Sequence, residues 1–141
     1  MERVTGVGGI FFKVRDPKQM MDWYGRHLGI GAGDGTEETY TQFPWREEGE
    51  AGRPGSTVWA LFPNDTRYFD PGTSSFMVNY RVADLDALLE QLRLEGVQVD
   101  NRIEEYEYGR FGWITDPEGN RIELWEPPQG TAGRPDEAEG N

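Results

Sequence analysis

The feature that most constrains the fold is an internal repeat with an offset of 68 residues. Apolar residues alternate with other residues between Ile10 and Val14, which is typical of a strand, and the following Asp16-Pro17 is a good helix start. The same strand and helix start return at Phe76 to Val82 and Asp84. The matched pairs are Phe12 with Tyr80, Val14 with Val82, Asp16 with Asp84, Met20 with Leu88, and Tyr24 with Leu92. Because neither unit is long enough to bury a core alone, the two must pack as one.

Each predicted helix ends at a glycine, Gly29 in the first unit and Gly96 in the second, and further strands follow it. After the first helix we expect strands at 38–43 and 57–62, separated by an acidic loop at 46–55. After the second helix we expect strands at 98–104, 110–115 and 121–125, the last two joined by a turn at 116–120. The sequence therefore predicts an α+β domain over 1–126 in which βαβββ occurs twice, as modules of about 4–70 and 71–126. Residues 127–141 are predicted to be a disordered acidic tail.

Composition excludes several classes of function. The net charge of −12 disfavours nucleic acid and anionic membranes as partners. The chain has no cysteine, so disulfides, thiolate nucleophiles and cysteine zinc sites are excluded, and its single histidine, His27, excludes sites built from several imidazoles of one chain. No apolar run approaches membrane-spanning length and no signal-peptide pattern is present, so we expect a cytoplasmic protein.

Two stretches resemble motifs of a known superfamily. Residues 7–30, with Asp16-Pro17, Trp23-Tyr24 and Leu28-Gly29, resemble the opening of the vicinal oxygen chelate superfamily, which includes glyoxalase I, the bleomycin-resistance proteins and the extradiol dioxygenases. Residues 112–124, which read GWITDPEGNRIEL, resemble its closing motif. The resemblance covers about residues 4–126. It implies two βαβββ modules that form a curved mixed sheet around a cleft, and a homodimer.

The resemblance also implies where a metal would bind. In metal-dependent members the ligands come from the first and last strands of each module, which here gives Gly9, Ala60, Met77 and Glu123. A shift of one residue at Ala60 would give Trp59 or Leu61, and neither is a ligand. Since only Glu123 has a side-chain donor that suits a divalent ion, we expect no metal and no cofactor.

Strand alternation assigns the side chains to two faces. The face toward the helices is expected to carry Ile10, Phe12, Val14, Val78, Tyr80 and Val82. The cleft face is expected to carry Phe11, Lys13, Met77, Asn79, Arg81, Arg121, Glu123 and Trp125. We predict that these cleft residues, together with Trp59, Tyr106 and Tyr108, bind a small molecule, and that Trp45, Tyr68 and Phe69 can add aromatic walls. The alternative is that the cleft side chains fill a closed core or contact a dimer partner.

Glu123 is the most specific candidate for a functional residue, and three roles are possible for it. A desolvated and unpaired carboxylate could be a general base, a paired one would be a structural ion pair, and hydrogen bonding to a ligand is the third role. Lys13, Arg81 or Arg121 could pair with it, and we favour Lys13 or Arg81 because these two residues occupy equivalent positions in the repeat.

Other features are interpreted more simply. We expect His27 to be an exposed residue at a helix end, and Glu47, Glu48 and Glu50 to belong to a solvated loop. Residues 6–9 precede a strand rather than open a helix, so their glycines are not a dinucleotide-binding motif.

Three functions remain in competition. The first is a metal-free, bleomycin-resistance-like protein that binds a small organic molecule in an aromatic cleft. The second is a metal-independent isomerase or lyase with Glu123 as its base. The third is an accessory domain whose cleft is filled and whose role is association.

Overall fold

A computed structural model describes residues 3–31, 39–46 and 54–128 of the chain. Two helices and eight strands follow one another along it. They are β1 (Val4–Val14), α1 (Pro17–Leu28), β2 (Tyr40–Arg46), β3 (Pro54–Pro63), β4 (Phe76–Val82), α2 (Leu85–Leu94), β5 (Gln98–Val99), β6 (Glu104–Tyr106), β7 (Gly109–Thr115) and β8 (Arg121–Glu126).

All eight strands belong to one mixed sheet, in the order β2-β3-β1-β4-β8-β7-β5, with β6 paired to β7. Within each half, the first strand runs parallel to the last: β1 to β3, and β4 to β8. The halves join edge to edge through the antiparallel pairing of β1 with β4. The prediction of an α+β fold, in which two related modules form an open curved sheet, is confirmed.

The helix boundaries follow from local sequence. Asp16 caps α1 by accepting a hydrogen bond from the backbone N–H of Gln19, and Asp84 caps α2 in the same way through Ala87. Gly29 ends α1 in the left-handed conformation at φ 72°, which glycine adopts without the steric penalty of a Cβ atom. These predicted caps are confirmed.

Two predicted segments need correction. Instead of one strand at 98–104 there are two short ones, β5 and β6, because the Asp100 carboxylate accepts the backbone N–H of Arg102 and bends the chain between them. The predicted acidic loop at 46–55 is shorter, since β2 continues to Arg46 and β3 begins at Pro54. Glu47, Glu48 and Glu50 lie outside the described residues, as does all of the predicted tail beyond Pro128.

The two faces of the sheet carry separate cores. On the outer face, α2 buries Leu85, Leu88 and Leu89 against the sheet, whereas α1 has no fully buried residue. The opposite face, which we call the inner face, carries an aromatic-rich core of Phe11, Ala60, Phe69, Met77 and Trp113. In the described part of the chain, neither helix has the length and apolar character needed to cross a membrane.

Candidate functional site

The inner face holds a buried carboxylate at its centre. Glu123 lies on β8 and is only 1% exposed. Its neighbours across the sheet are Asn79 on β4 and Trp113 on β7. Both strand pairings are central in the sheet, so the backbone fixes the position of this side chain closely.

Three donors hold the carboxylate. Its Oε1 atom accepts a hydrogen bond of 2.6 Å from Asn79 Nδ2, and its Oε2 atom accepts one of 3.0 Å from Trp113 Nε1. The hydroxyl of Tyr68, from the connection between β3 and β4, also donates to Oε2. A buried carboxylate with hydrogen bonds at both oxygens is much less costly than a bare one.

Burial and hydrogen bonding act on the acidity of Glu123 in opposite directions. Loss of water raises the pKa of Glu123, while the bonds from Tyr68, Asn79 and Trp113 and the charge of Arg121 oppose that rise without cancelling it. The pKa of the Tyr68 phenol is also raised, first by burial and then by the nearby Glu123 carboxylate. Together they form a buried acid pair linked by one hydrogen bond.

The expectation that Lys13 or Arg81 is the cationic partner of Glu123 is wrong. The Lys13 ammonium lies 5.3 Å from the centre of the Phe69 ring, and Arg81 donates a 2.7 Å hydrogen bond to the carbonyl of Val7. The positive charge that acts on Glu123 is Arg121.

Two partners of Glu123 were missed by sequence reasoning, and one of them was predictable. A hairpin closed by the 116–120 turn pairs Thr115 with Arg121, and therefore Trp113 with Glu123. The contact of Tyr68 with Glu123 could not be predicted in this way, since the sequence indicates Tyr68 only as an aromatic wall. Tyr68 reaches the carboxylate through an irregular connection, and strand alternation does not apply there.

The register of the sheet tests whether this site could hold a metal. Phe11 pairs with Ala60 as Asn79 pairs with Glu123, and Phe11 and Asn79 are 68 residues apart. Ala60 is therefore the structural equivalent of Glu123. With Gly9 and Met77 at the other two positions, the set offers one carboxylate, which does not fit a divalent ion. Within the described residues, no group of three His, Cys, Asp or Glu side chains could hold a metal ion.

Most predicted cleft residues share the inner face, and several are packed too tightly to contact a ligand directly. Phe11, Met77, Asn79 and Trp125 are each no more than 8% exposed. Phe69 and Tyr68 pack over this face through Phe62, whose ring stacks on Tyr68 with centres 5.7 Å apart. The central part of the predicted cleft is therefore filled by side chains.

The placement of Trp59 in the cleft is wrong. Its ring lies on the outer face, where it contacts Tyr24 of α1 at 4.9 Å and Phe12 at 5.6 Å between ring centres. The reason is alternation: Ala60 faces inward, so its neighbour in the strand must face outward. Phe12 faces the helix as expected, whereas Ile10 is 39% exposed because neither helix covers the middle of the sheet.

Tyr106 and Tyr108 lie at one end of the inner face and are half exposed. Their rings stack on each other at 5.2 Å, and both make edge contacts with Phe111, which in turn stacks on Trp125. The four rings extend from the surface to the buried face. Ligand binding at this aromatic end stays a prediction.

A groove opens beside Tyr68, between the turn at 67–71 and the chain at 100–102. It has a volume of about 510 Å³, within the usual range of small-ligand pockets. Its lining residues are Arg67, Tyr68, Asp70, Pro71, Asp100, Arg102 and Arg121. Tyr68 thus separates the groove from the Glu123 carboxylate. His27 is exposed at the end of α1, as expected, and lies far along the chain from these residues.

Comparisons with known proteins agree with this architecture. The family model of the Glyoxalase/Bleomycin resistance protein/Dioxygenase superfamily matches residues 6–124. No curated protein sequence matches significantly.

Among solved structures, a methylmalonyl-CoA epimerase bound to methylmalonyl-CoA and NH4+ has a TM-score of 0.62 at 16% identity, over 92% of this chain and 99% of that one. The methylmalonyl-CoA epimerase of Mycobacterium tuberculosis has a TM-score of 0.56 at 23% identity, over 89% of both chains. A catechol 2,3-dioxygenase has a TM-score of 0.53 at 21% identity, over 92% of this chain and 41% of that one. At these identities the likeness concerns the fold.

Proposed function

We propose that this chain, which belongs to the Glyoxalase/Bleomycin resistance protein/Dioxygenase superfamily, binds a small organic molecule without the help of a metal ion. The observation that carries the proposal is the state of Glu123. It is the only oxygen donor among the four positions where the superfamily's metal ligands would lie, and three protein donors already engage it.

The groove beside Tyr68 is the place where we propose that the ligand binds. Its lining includes Tyr68, which donates to Glu123, and it combines an aromatic wall with charged side chains. Such a mixture, apolar surface with a few polar groups that fix orientation, is typical of small-molecule sites. The bulk of the inner face would then act as a rigid support for Tyr68 rather than as the ligand surface itself.

A thermal-shift screen tests this function. A ligand that binds only the native state stabilises it by RT ln(1 + [L]/Kd), so a true ligand raises Tm by an amount that grows with the logarithm of its concentration relative to Kd. We expect hits among small organic molecules, and we expect these to persist in excess chelator. A screen in which divalent metals alone raise Tm, with the rise lost in Glu123→Ala, would contradict the proposal.

Catalysis is the second candidate, and the raised pKa of Glu123 favours it. An isomerase or lyase needs a base that can reach a substrate proton. Both oxygens of Glu123 are engaged, so a substrate would first have to displace the Tyr68 hydroxyl. A Tyr68→Phe variant separates the two functions: loss of the hydroxyl frees Oε2 of Glu123 and should change the rate of any proton transfer, whereas binding along the retained ring should persist.

We also propose that the protein forms a homodimer through the outer face of β1 and β4. Four apolar residues are between 39% and 52% exposed in this ladder, namely Val4, Val7, Ile10 and Phe76. A second copy is the partner we propose, because a two-fold dimer brings the same apolar patch from both sides. Light scattering of the full chain tests it.

A further inference from the structure

More basic than acidic side chains line the groove beside Tyr68, although the chain as a whole is strongly acidic. Three arginines and two aspartates line it, in a chain whose net charge is −12. Of the three, Arg67 is at the outer edge, Arg102 is on the wall, and Arg121 is nearly buried at 4% exposure. An excess of guanidinium groups around one open groove is unusual for so acidic a chain.

Arg121 has more donors than its described neighbours accept. One terminal nitrogen donates to the backbone carbonyl of Tyr68, and the other lies 3.5 Å from Asp100 Oδ2, at the limit of a hydrogen bond. Its Nε atom is buried and, within the described residues, has no hydrogen-bond partner. Buried donors are rarely left unpaired, so this guanidinium has capacity for another acceptor.

Arg102 and Arg121 both lie against the indole ring of Trp113 and both line the groove. The two guanidinium groups lie 5.3 Å and 4.8 Å from the centre of the Trp113 ring. Arg102 forms a 3.2 Å ion pair with Glu104 through its Nε atom, and its two terminal nitrogens carry four further N–H donors. Arg67 pairs with Asp70 at 2.9 Å, but its side chain is 89% exposed, so this ion pair is weak.

We propose that this groove binds an oxyanion group, a carboxylate or a phosphate, of the small ligand. The inference rests on the proposed function and adds the chemical class of the ligand. The arginine fork matches the planar geometry of carboxylate and phosphate oxygens. An incoming oxyanion would replace the long Asp100 contact of Arg121 and gain Arg102 as a second partner.

The organic part of the ligand would then lie along the Tyr68 ring. The backbone carbonyl of Tyr68 accepts from Arg121 and its hydroxyl donates to Glu123. Tyr68 therefore connects the anion position to the buried carboxylate. A ligand with an anionic group next to an aromatic or unsaturated body would use both the arginines and the stacked Phe62–Tyr68 pair.

Nuclear magnetic resonance titration of the full 15N-labelled chain tests the inference. The probes are inorganic phosphate, benzoate and its neutral counterpart benzamide, at constant ionic strength. We expect phosphate or benzoate to shift the Arg121 Nε–H and Trp113 Nε1–H signals along a saturating curve, with at least about tenfold weaker binding of benzamide. A comparison of benzoate with phenyl phosphate, which have the same ring, distinguishes a carboxylate ligand from a phosphate ligand by which of the two binds more tightly.

Variants complete the test without disturbing the buried arginine. Arg102→Gln should weaken anion binding about tenfold and Arg67→Gln by less, because charge-assisted hydrogen bonds are lost at different exposures. Arg93→Gln, at the exposed end of α2, is the matched control and should leave affinity unchanged.

Two results would overturn the inference: equal binding of benzamide and benzoate, or an equal effect of Arg102→Gln and Arg93→Gln. A screening hit that binds with the same affinity to Arg102→Gln would leave the proposed function standing and refute only the anion site. A cationic ligand from the screen that binds more weakly to Asp100→Asn would likewise refute only the anion site.

Discussion

Ile10 and Val78 are 68 residues apart in the sequence and lie directly opposite each other in the ladder of β1 and β4. Because this antiparallel pair joins equivalent residues of the two modules, a local two-fold axis passes between them. The axis relates Phe11 to Asn79 and Ala60 to Glu123. One half of the inner face is thus apolar where the other carries an amide and a carboxylate, so the symmetric scaffold supports a single polar site.

The first prediction concerns Glu123→Gln. Burial raises the pKa of the folded-state carboxyl above the ordinary value of 4.5. Above pH 4.5 the folded state therefore keeps a proton that the unfolded chain releases, and this group's contribution to the free energy of unfolding falls as pH rises through the folded pKa. The variant has no such loss. Relative to the wild type, its free energy of unfolding should therefore rise between pH 4.5 and 8, measured by urea unfolding.

The fold should tolerate this change because Asn79 can adapt. Its Oδ1 atom is buried and, within the described residues, has no hydrogen-bond partner. If the amide of Asn79 turns over, Oδ1 can accept from the side-chain amide that Glu123→Gln introduces, while Tyr68 and Trp113 continue to donate to the remaining oxygen. A stability difference that does not change with pH, or that moves in the opposite direction, would contradict the raised pKa.

The second prediction concerns the bond between Tyr68 and Glu123. Tyr68→Phe removes the hydroxyl donor from Oε2 and should lower the free energy of unfolding by about 1–3 kcal/mol at neutral pH. In a double-mutant cycle with Glu123→Gln, the two changes should be clearly non-additive, because the residues are in direct contact. Tyr80→Phe, on the outer face, is the control and should show no coupling with Glu123→Gln. Additive effects of Tyr68→Phe would show that the bond contributes nothing.

The parts of this structure that sequence could predict depend on local chemistry or strict periodicity. Asp16 and Asp84 cap their helices because a carboxylate next to the free N–H groups of the first turn is favourable in almost any context. The inward position of Glu123 follows from alternation in β8, and its equivalence to Ala60 follows from the repeat.

The parts that sequence could not predict depend on tertiary packing. Tyr68 reaches Glu123 from an irregular connection, where no period fixes the direction of a side chain. The cationic partner of Glu123 was assigned wrongly, because equivalence in the repeat fixes the position of Lys13 and Arg81 on the strand and not the reach of their long side chains. The filling of the cleft likewise depends on how Phe62 and Phe69 pack together.

The third prediction concerns Gly109, where β7 begins. Its φ of 130° is unfavourable for other residues, and a Cβ atom there would lie 2.3 Å from Trp125 Nε1 and 2.6 Å from the carbonyl oxygen of Glu126. Gly109→Ala should therefore cost about 3 kcal/mol in the free energy of unfolding. It should also disturb the 2.7 Å bond from Trp125 Nε1 to the Tyr108 carbonyl, which changes tryptophan fluorescence.

Gly112→Ala is the control for Gly109→Ala. It lies in the same strand, but a Cβ atom there would meet only leucine side-chain atoms, at 3.1 Å or more. It should change the free energy of unfolding by less than about 1 kcal/mol. Equal effects of the two substitutions would show that the contact with Trp125 is not what requires a glycine.

The fourth prediction concerns the exposed outer face of β1 and β4. If a second copy covers it, light scattering of the full chain should give about twice the mass of 16.1 kDa, and Ile10→Glu should reduce that to one chain. The reason is that each chain would bring a carboxylate into an apolar interface, where unpaired charge is costly. Leu94→Glu is the control: Leu94 is 78% exposed at the end of α2, and its substitution should leave the mass unchanged. A wild-type mass of one chain at micromolar concentration would refute the dimer, and loss of the dimer in Leu94→Glu but not in Ile10→Glu would place its interface elsewhere.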